Sequence, residues 1–189
     1  MNNYILPAEW HTQSCVQLTW PHEDTDWRDY LDDITETFVQ IAKAVAHYEP
    51  LVIAAKYPER VREVLAENLN DDEMARVSIY ECDNNDTWAR DHAFITLVPV
   101  QDNDTKAAAS DASGAEAGQA PCRLLDFRFN GWGEKFAADK DNLINSTLYN
   151  KGVFHGERVD YDDFVLEGGS IESDGRGTIL TTSVCLMAP

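Results

Sequence analysis

Basic residues are scarce in this chain of 189 residues: 15 Lys and Arg stand against 34 Asp and Glu, a formal net charge of -19. The bases present, among them Arg28, Lys43, Lys56, Arg60, Arg62 and Arg76, are scattered. Neutralising phosphates takes clustered cations, so a nucleic-acid partner is not expected, and an anionic membrane surface would repel the chain for the same reason. Long apolar runs are missing too. No window approaches the ~18 residues of a membrane span, and the segment from Met1 to Trp10 has neither the basic start nor the apolar stretch of a secretion signal. Cysteine is sparse: Cys15, Cys82, Cys122 and Cys185 form no C-x-x-C pair and show no metal-ligand spacing with the five histidines. Zinc and dithiol redox chemistry are therefore not indicated. Glycine-rich phosphate loops, H-E-x-x-H and G-x-S-x-G are absent as well. These absences point to a cytoplasmic protein with reduced thiols and no metal or organic cofactor.

What is present suffices for a core. Apolar residues make up 43 % and aromatics 10 %, so the acidity belongs to the surface of a folded chain whose favoured partners are small cations. Its length suggests one domain. Ser14 to Trp20 alternates as a strand, and after Pro21 the period changes. Trp27, Leu31, Ile34, Phe38, Ile41, Ala42 and Val45 recur at three- and four-residue spacing and predict a long amphipathic helix that Pro50 ends. Leu51 to Ala55 reads as a buried strand, Pro58 to about Leu69 as a second helix, and Val77 to Glu81 as the next strand. Beyond the polar loop Asp83 to Asp86, strands are expected at Phe94 to Val100, Leu124 to Phe129 and Val153 to Val159, with a helix from roughly Ala138 to Tyr149. A hairpin follows, Ser170 to Glu172 and Thr178 to Thr182, around Asp174-Gly175-Arg176-Gly177. The stretch 101–121, rich in Ala, Ser, Gly and Asp, holds nothing to offset the entropy of ordering and reads as a flexible insertion. Strands alternating with helices make the chain α/β. Twice a strand leads into a polar loop with an acid, Asp91 and then Glu167, and on to a hairpin or strand, which hints at repeated ββαβ modules. The apolar run Cys185-Leu-Met-Ala-Pro189 right after a strand lacks an obvious partner.

Two loops carry chemistry. Asp86-Thr-Trp-Ala-Arg-Asp91 gathers two carboxylates, an indole and a guanidinium at a strand mouth. If the segment turns, Trp88 and Asp91 share a side, with a ring to cover a planar cation and a carboxylate to accept its paired N–H groups. The alternative is that Arg90 pairs with Asp86 or Asp91 while Trp88 fills core. Val165-Leu-Glu-Gly-Gly-Ser170 either holds Glu167 at a cavity or is a glycine hairpin in water. Phe129-Asn-Gly-Trp-Gly133 is a turn with a buried indole or a cavity wall, and Pro7-Ala-Glu-Trp10 with Trp20-Pro21 suggests packing. Nucleophiles are poor: Cys82 lies between Glu81 and Asp83, where negative charge disfavours a thiolate, and His92 would point away from Asp91 on a strand.

In this order, Pro7-Ala-Glu-Trp10, Trp20-Pro21, Asp86 to Asp91, Phe129 to Gly133, Leu166-Glu-Gly-Gly-Ser170 and Gly177-Thr-Ile-Leu-Thr-Thr182 resemble the agmatine deiminase family, which includes the bacterial-type peptidylarginine deiminases. The similarity runs from about Leu6 to Pro189. It implies the N-terminal part of a pentein fold, a β/α propeller of ββαβ modules around a central site. It also implies hydrolysis of a guanidinium through a covalent cysteine intermediate, agmatine giving N-carbamoylputrescine and ammonia, with peptidyl or free arginine as the other substrates. Carried onto this sequence, Asp91 and Glu167 are the catalytic carboxylates that bind the guanidinium, and Trp88 lines the pocket. The family's histidine and nucleophilic cysteine lie beyond Leu-Glu-Gly-Gly, after the last residue here, and where members often continue with Thr-Gly-Pro this chain has His92-Ala-Phe94. The resemblance thus implies an incomplete, inactive propeller, the other reading being a non-catalytic guanidine-binding module. A homo-oligomer is left open.

Overall fold

A computed structural model describes residues 4–100 and 120–187. The expected insertion at 101–121 falls outside them except for its last two positions. Among the described residues no helix is long and apolar enough to cross a membrane.

The first sheet is parallel, in the order β2-β3-β4: Val16–Thr19, Leu51–Ala55 and Val77–Glu81. Its crossovers are α1, Leu31–Ala46, and α2, Pro58–Asn68, whose proline occupies the first turn, where no N–H partner is needed. The short helix α3, Asp71–Met74, starts on a capping box between Asn70 and Glu73. Alternation assigns each side chain of the central strand to a face. Leu51, Ile53 and Ala55 join Trp20, Phe38, Val39, Ala42, Val61 and Leu65 on the α1 and α2 side. Val52 and Ala54 point the other way, onto Cys82, Ile144 and Leu148. A strand covered on both faces is buried throughout, as Leu51–Ala55 is. The predicted helix start at Trp27 is corrected: a 3-10 turn at Arg28–Tyr30 precedes α1, and the Trp27 ring lies at the surface with its Nε1 donating to Thr87 Oγ1 at 3.0 Å.

The second sheet has the order β1-β5-β6-β7. β1, Tyr4–Ile5, pairs antiparallel with β5, Ile95–Pro99, which pairs antiparallel with β6, Arg123–Arg128. The crossover α6, Asp141–Asn150, leads from β6 to the parallel β7, Glu157–Val165. Strands β5 and β6, helix α6 and strand β7 thus form one ββαβ unit of the kind expected. The last strand starts four residues later than predicted and continues to Val165, because Tyr161 stacks on Phe127 at 4.9 Å and prolongs the pairing past 159. Ile144 and Leu148 of α6 cover the back of β3, so the crossover of one sheet is the lid of the other. A separate hairpin, β8 at Ile171–Ser173 and β9 at Ile179–Thr181, closes on Asp174, whose carboxylate accepts the N–H groups of Arg176 and Thr178. Its far end is tied to the N-terminal segment by Ser173 Oγ donating to Leu6 O at 2.8 Å. The apolar run after Thr182 is not bare coil. It forms α7, Ser183–Leu186, capped by Thr182, with Val184 and Leu186 exposed.

Candidate functional site

The segment after β4 turns. Ala89–His92 is a single helical turn, α4, in which Asp91 N donates to Trp88 O at 3.0 Å and Ala93 N to Ala89 O at 3.0 Å. It lies at the C-terminal ends of the parallel strands, the edge where open α/β sheets place ligands. Two contacts brace it, and a third pair backs the second. His92, buried, meets Thr19 Oγ1 through Nε2 at 3.0 Å and so ties α4 to β2. Asn145, on the buried face of α6, donates from Nδ2 to His92 O and to Asp126 Oδ1, both at 2.7 Å. Asp126 in turn takes Nε and an Nη of Arg158 at 2.8 and 2.7 Å, a two-pronged pair. Burial lowers the His92 pKa from 6.5 to about 4, so the ring is neutral and serves as a strut. The doubt over His92 as a base stands, though the segment is helical rather than extended.

The other acid arrives from 76 residues downstream. Gly168–Ser170 forms a 3-10 turn against α4, and Gly169 N–H donates to the Asp91 carboxylate. A Cβ on Gly169 would collide with Asp91 Oδ1, and one on Gly168 with Arg90 O. Both glycines are there for close approach rather than for flexibility. Ser170 braces the turn, its N–H and Oγ donating to Glu167 O at 3.1 and 2.7 Å. Glu167 is 7 % exposed. Its pKa is raised by burial and then by the charge of Asp91. That of Asp91 is raised by burial, against the pull of the Gly169 N–H and of Arg90. Two neighbouring carboxyls that resist ionising together form a site that a shared cation would relax.

Arg90 pairs with neither Asp86 nor Asp91. Its guanidinium reaches out to Glu9 on the N-terminal segment and makes no ion pair with Asp91. Asp86 is spent on structure: Oδ2 accepts Asp26 N at 3.0 Å and Oδ1 accepts Thr87 N at 2.7 Å. Behind it, fully buried Asp141 accepts Asn85 N at 2.7 Å and has its pKa raised to about 6, mainly by burial. Trp88 packs at 4.4 Å from Trp132, 5.1 Å from Phe136 and 6.1 Å from Phe129. Trp132 reaches it from a left-handed run, Gly131 to Glu134, all at positive φ, where Trp132 has φ 58°. Asn-Gly-Trp-Gly is therefore both a turn and an aromatic wall. The Pro7-to-Trp10 segment splits: Ala8 is buried and Trp10 is 82 % exposed, whereas Trp20 is core.

Residues 5–189 match the Porphyromonas-type peptidyl-arginine deiminase family. The chain belongs to that family. Among its relatives, the agmatine deiminase of Stutzerimonas stutzeri is 30 % identical over 98 % of this chain and 45 % of its own length. A substrate-bound Cys-to-Ser variant of the C. jejuni agmatine deiminase superposes with a TM-score of 0.75 at 33 % identity, over 98 % of this chain and 47 % of that one. A Porphyromonas gingivalis protein assigned as an arginine deiminase gives 0.77 at 39 % identity, over 99 % and 49 %. The chain thus spans about half the length of the relatives it matches, and it shares the N-terminal part of the family fold, mixed α/β with no closed barrel among the described residues.

No described group of three or more His, Cys, Asp and Glu could hold a metal ion. All four cysteines are free. Cys82 has its pKa pushed up to about 11, chiefly by burial; Lys151 opposes this and Glu81 adds only a smaller rise, so the neighbouring acids are not the main cause. The sequence reading missed Gly169 as donor, Glu9 as the partner that draws Arg90 away, and Asn145 as brace. Asn145 had a visible signal, a polar residue on the apolar face of a helix between Ile144 and Leu148.

Proposed function

We propose that this chain is the substrate-binding half of a guanidinium hydrolase of the agmatine deiminase type, with Asp91 and Glu167 gripping the guanidinium and Trp88 forming part of the wall. One observation carries the reading: two carboxylates far apart in sequence meet at α4, both with raised pKa, held by a glycine pair that admits no side chain. A planar cation supplies the positive charge and the paired N–H donors that such a pair lacks. The aromatic cluster around Trp88 supports a flat, weakly hydrated cation over an ammonium ion.

In the complete reaction a thiolate attacks the guanidinium carbon, ammonia leaves, and water releases the ureido product. This chain's carboxylates would orient the carbon and keep the cation's charge in place. The nucleophilic cysteine and proton-shuttling histidine would come from the remaining half of the relatives' length, so the 189 residues alone bind and do not turn over. The protein works in the cytoplasm.

Titration of the chain with agmatine, followed by NMR, tests this. Shifts at Asp91, Gly169 and Glu167 are expected, weakened at least about tenfold in Asp91→Asn, because a charge-assisted bidentate contact is worth more than about 1.4 kcal/mol. Binding should strengthen as the pH rises through the carboxylate range, since the cation favours the ionised forms. Agmatine binding that Asp91→Asn leaves unchanged would remove the assignment.

A further inference from the structure

Asn145 is a costly residue for its place in the fold. It is 1 % exposed on α6, in sequence between Ile144 and Leu148, which cover the back of β3. Its Nδ2 donates to His92 O and to Asp126 Oδ1, both at 2.7 Å, while its Oδ1 accepts from no described group. A buried acceptor left without a donor costs stability. The amide cannot turn over to relieve this, because both partners are acceptors and only the NH2 end suits them. Arg158 fixes the arrangement: its Nε and an Nη both reach Asp126 Oδ2, at 2.8 and 2.7 Å, which leaves Oδ1 for Asn145. The register of the parallel pair explains the meeting. Arg158 stands opposite Leu124 and Asp160 opposite Asp126, so the three charged side chains share one side of the sheet. Arg158 Nη2 also donates to Asp160 Oδ2 at 3.3 Å and so eases two carboxylates that face each other across the strands.

The use of this network lies in where its ends lead. His92 closes α4 directly after Asp91, so the Asn145 bond to its carbonyl ties the Asp91 turn to β6 through Asp126. Glu167 hangs from the same strand, because Leu166 N donates to Arg128 O at 3.1 Å. Phe127 alone separates Asp126 from Arg128. Strand β6 is thus the common frame on which both acids are set. We propose that Asn145 is a positioning residue for guanidinium binding: through the His92 carbonyl it fixes Asp91 against Glu167, with the Arg158–Asp126 pair holding its amide in the donating orientation. The proposal rests on the guanidinium grip at Asp91 and Glu167. A side chain serving stability alone at this place is an apolar one that extends the cover of β3, so the amide is retained for the geometry it imposes.

The test is the affinity of the 189-residue chain for n-butylguanidinium, a guanidinium with a plain alkyl tail, measured by NMR titration at pH 7. Asn145→Ala should weaken binding about tenfold, whereas Leu148→Ala, a core truncation on the same helix that also costs stability, should stay within about twofold. Added to Asp91→Asn, Asn145→Ala should change the remaining affinity by less than about twofold, because the amide acts only through Asp91. The Gly169 amide resonance, which reports the bond to the Asp91 carboxylate, should move in Asn145→Ala and stay in place in Leu148→Ala. Arg158→Lys keeps a cation beside Asp126 but loses the fork; it should weaken binding about threefold, and it carries the test if Asn145→Ala does not fold. The positioning role is overturned, and the grip left standing, by equal losses in Asn145→Ala and Leu148→Ala, by a loss that persists undiminished in Asp91→Asn, or by Arg158→Lys binding as tightly as the unaltered chain. An unaltered chain that binds no guanidinium, or an Asp91→Asn chain that binds it equally well, overturns the grip and the inference together.

Discussion

Strands β3 and β9 are both short and apolar, yet β3 is buried at every position and β9 is exposed at every position. The difference is made far from either strand. β3 has a strand on each side, α1 and α2 on one face and the α6 crossover on the other. β9 has one neighbour, β8, and the apolar residues around it, Ile179, Leu180, Val184, Leu186 and Met187, lie open. Local sequence makes a strand; non-local cover makes a core. The N-terminal sheet is covered on both faces, by its own helices and by α6 of the other sheet, whereas the hairpin region is a surface of a kind that soluble folds keep covered. On the reading proposed above, the rest of the relatives' length covers it.

Core truncation should show the contrast at its largest. Leu65→Ala, in the closed half, is expected to cost about 3 kcal/mol of stability, and Leu180→Ala, at the open hairpin, less than about 0.5 kcal/mol. Urea midpoints at constant m measure both, and equal losses would erase the distinction. Next comes pH. The strongly shifted buried groups His92 and Asp141 brace the closed half and act in opposite senses. Between 6.5 and about 4 the unfolded chain takes a proton that buried His92 refuses, so stability falls as the pH drops. Asp141, raised from 3.8 to about 6, keeps a proton that the unfolded chain has released, so it costs stability as the pH rises through that window. Asp141→Asn should unmask the His92 slope, a gain of up to about 3 kcal/mol from pH 4 to 6.5. A flat profile in that variant would show that His92 is not held neutral.

Where the halves meet, Gly169→Ala forces a Cβ against Asp91 and should cost about 1–3 kcal/mol together with guanidinium binding. Ala tolerated there would mean that the glycine turn does not press on α4. The smallest effect is expected at the surface pair: Glu9→Gln frees Arg90 at a cost below about 1 kcal/mol, read from the thermal midpoint in low salt.

The sequence made β3, β4 and α2 legible to the residue or nearly so, because their apolar periods agree with the cover they receive. It placed Asp91 and Glu167 in loops at strand ends but could not bring them together, since that meeting depends on Gly168 and Gly169 pressing on α4 across 76 residues. The single turn at Ala89–His92 was open between turning and extended, as a four-residue helix leaves no period to read. Trp27 fits the α1 period and is nonetheless drawn off the helix by Thr87. Arg90 looked like the partner of the adjacent acids until Glu9, remote in sequence, claimed it.

Central to the account is that Asp91 and Glu167 hold the same guanidinium. A double-mutant cycle on n-butylguanidinium affinity tests it, comparing the unaltered chain, Asp91→Asn, Glu167→Gln and the double variant at pH 7. Two carboxylates on one cation predict losses that fail to add, by about 0.5 kcal/mol or more. Strictly additive losses, or a Glu167→Gln variant that binds as well as the unaltered chain, would contradict it.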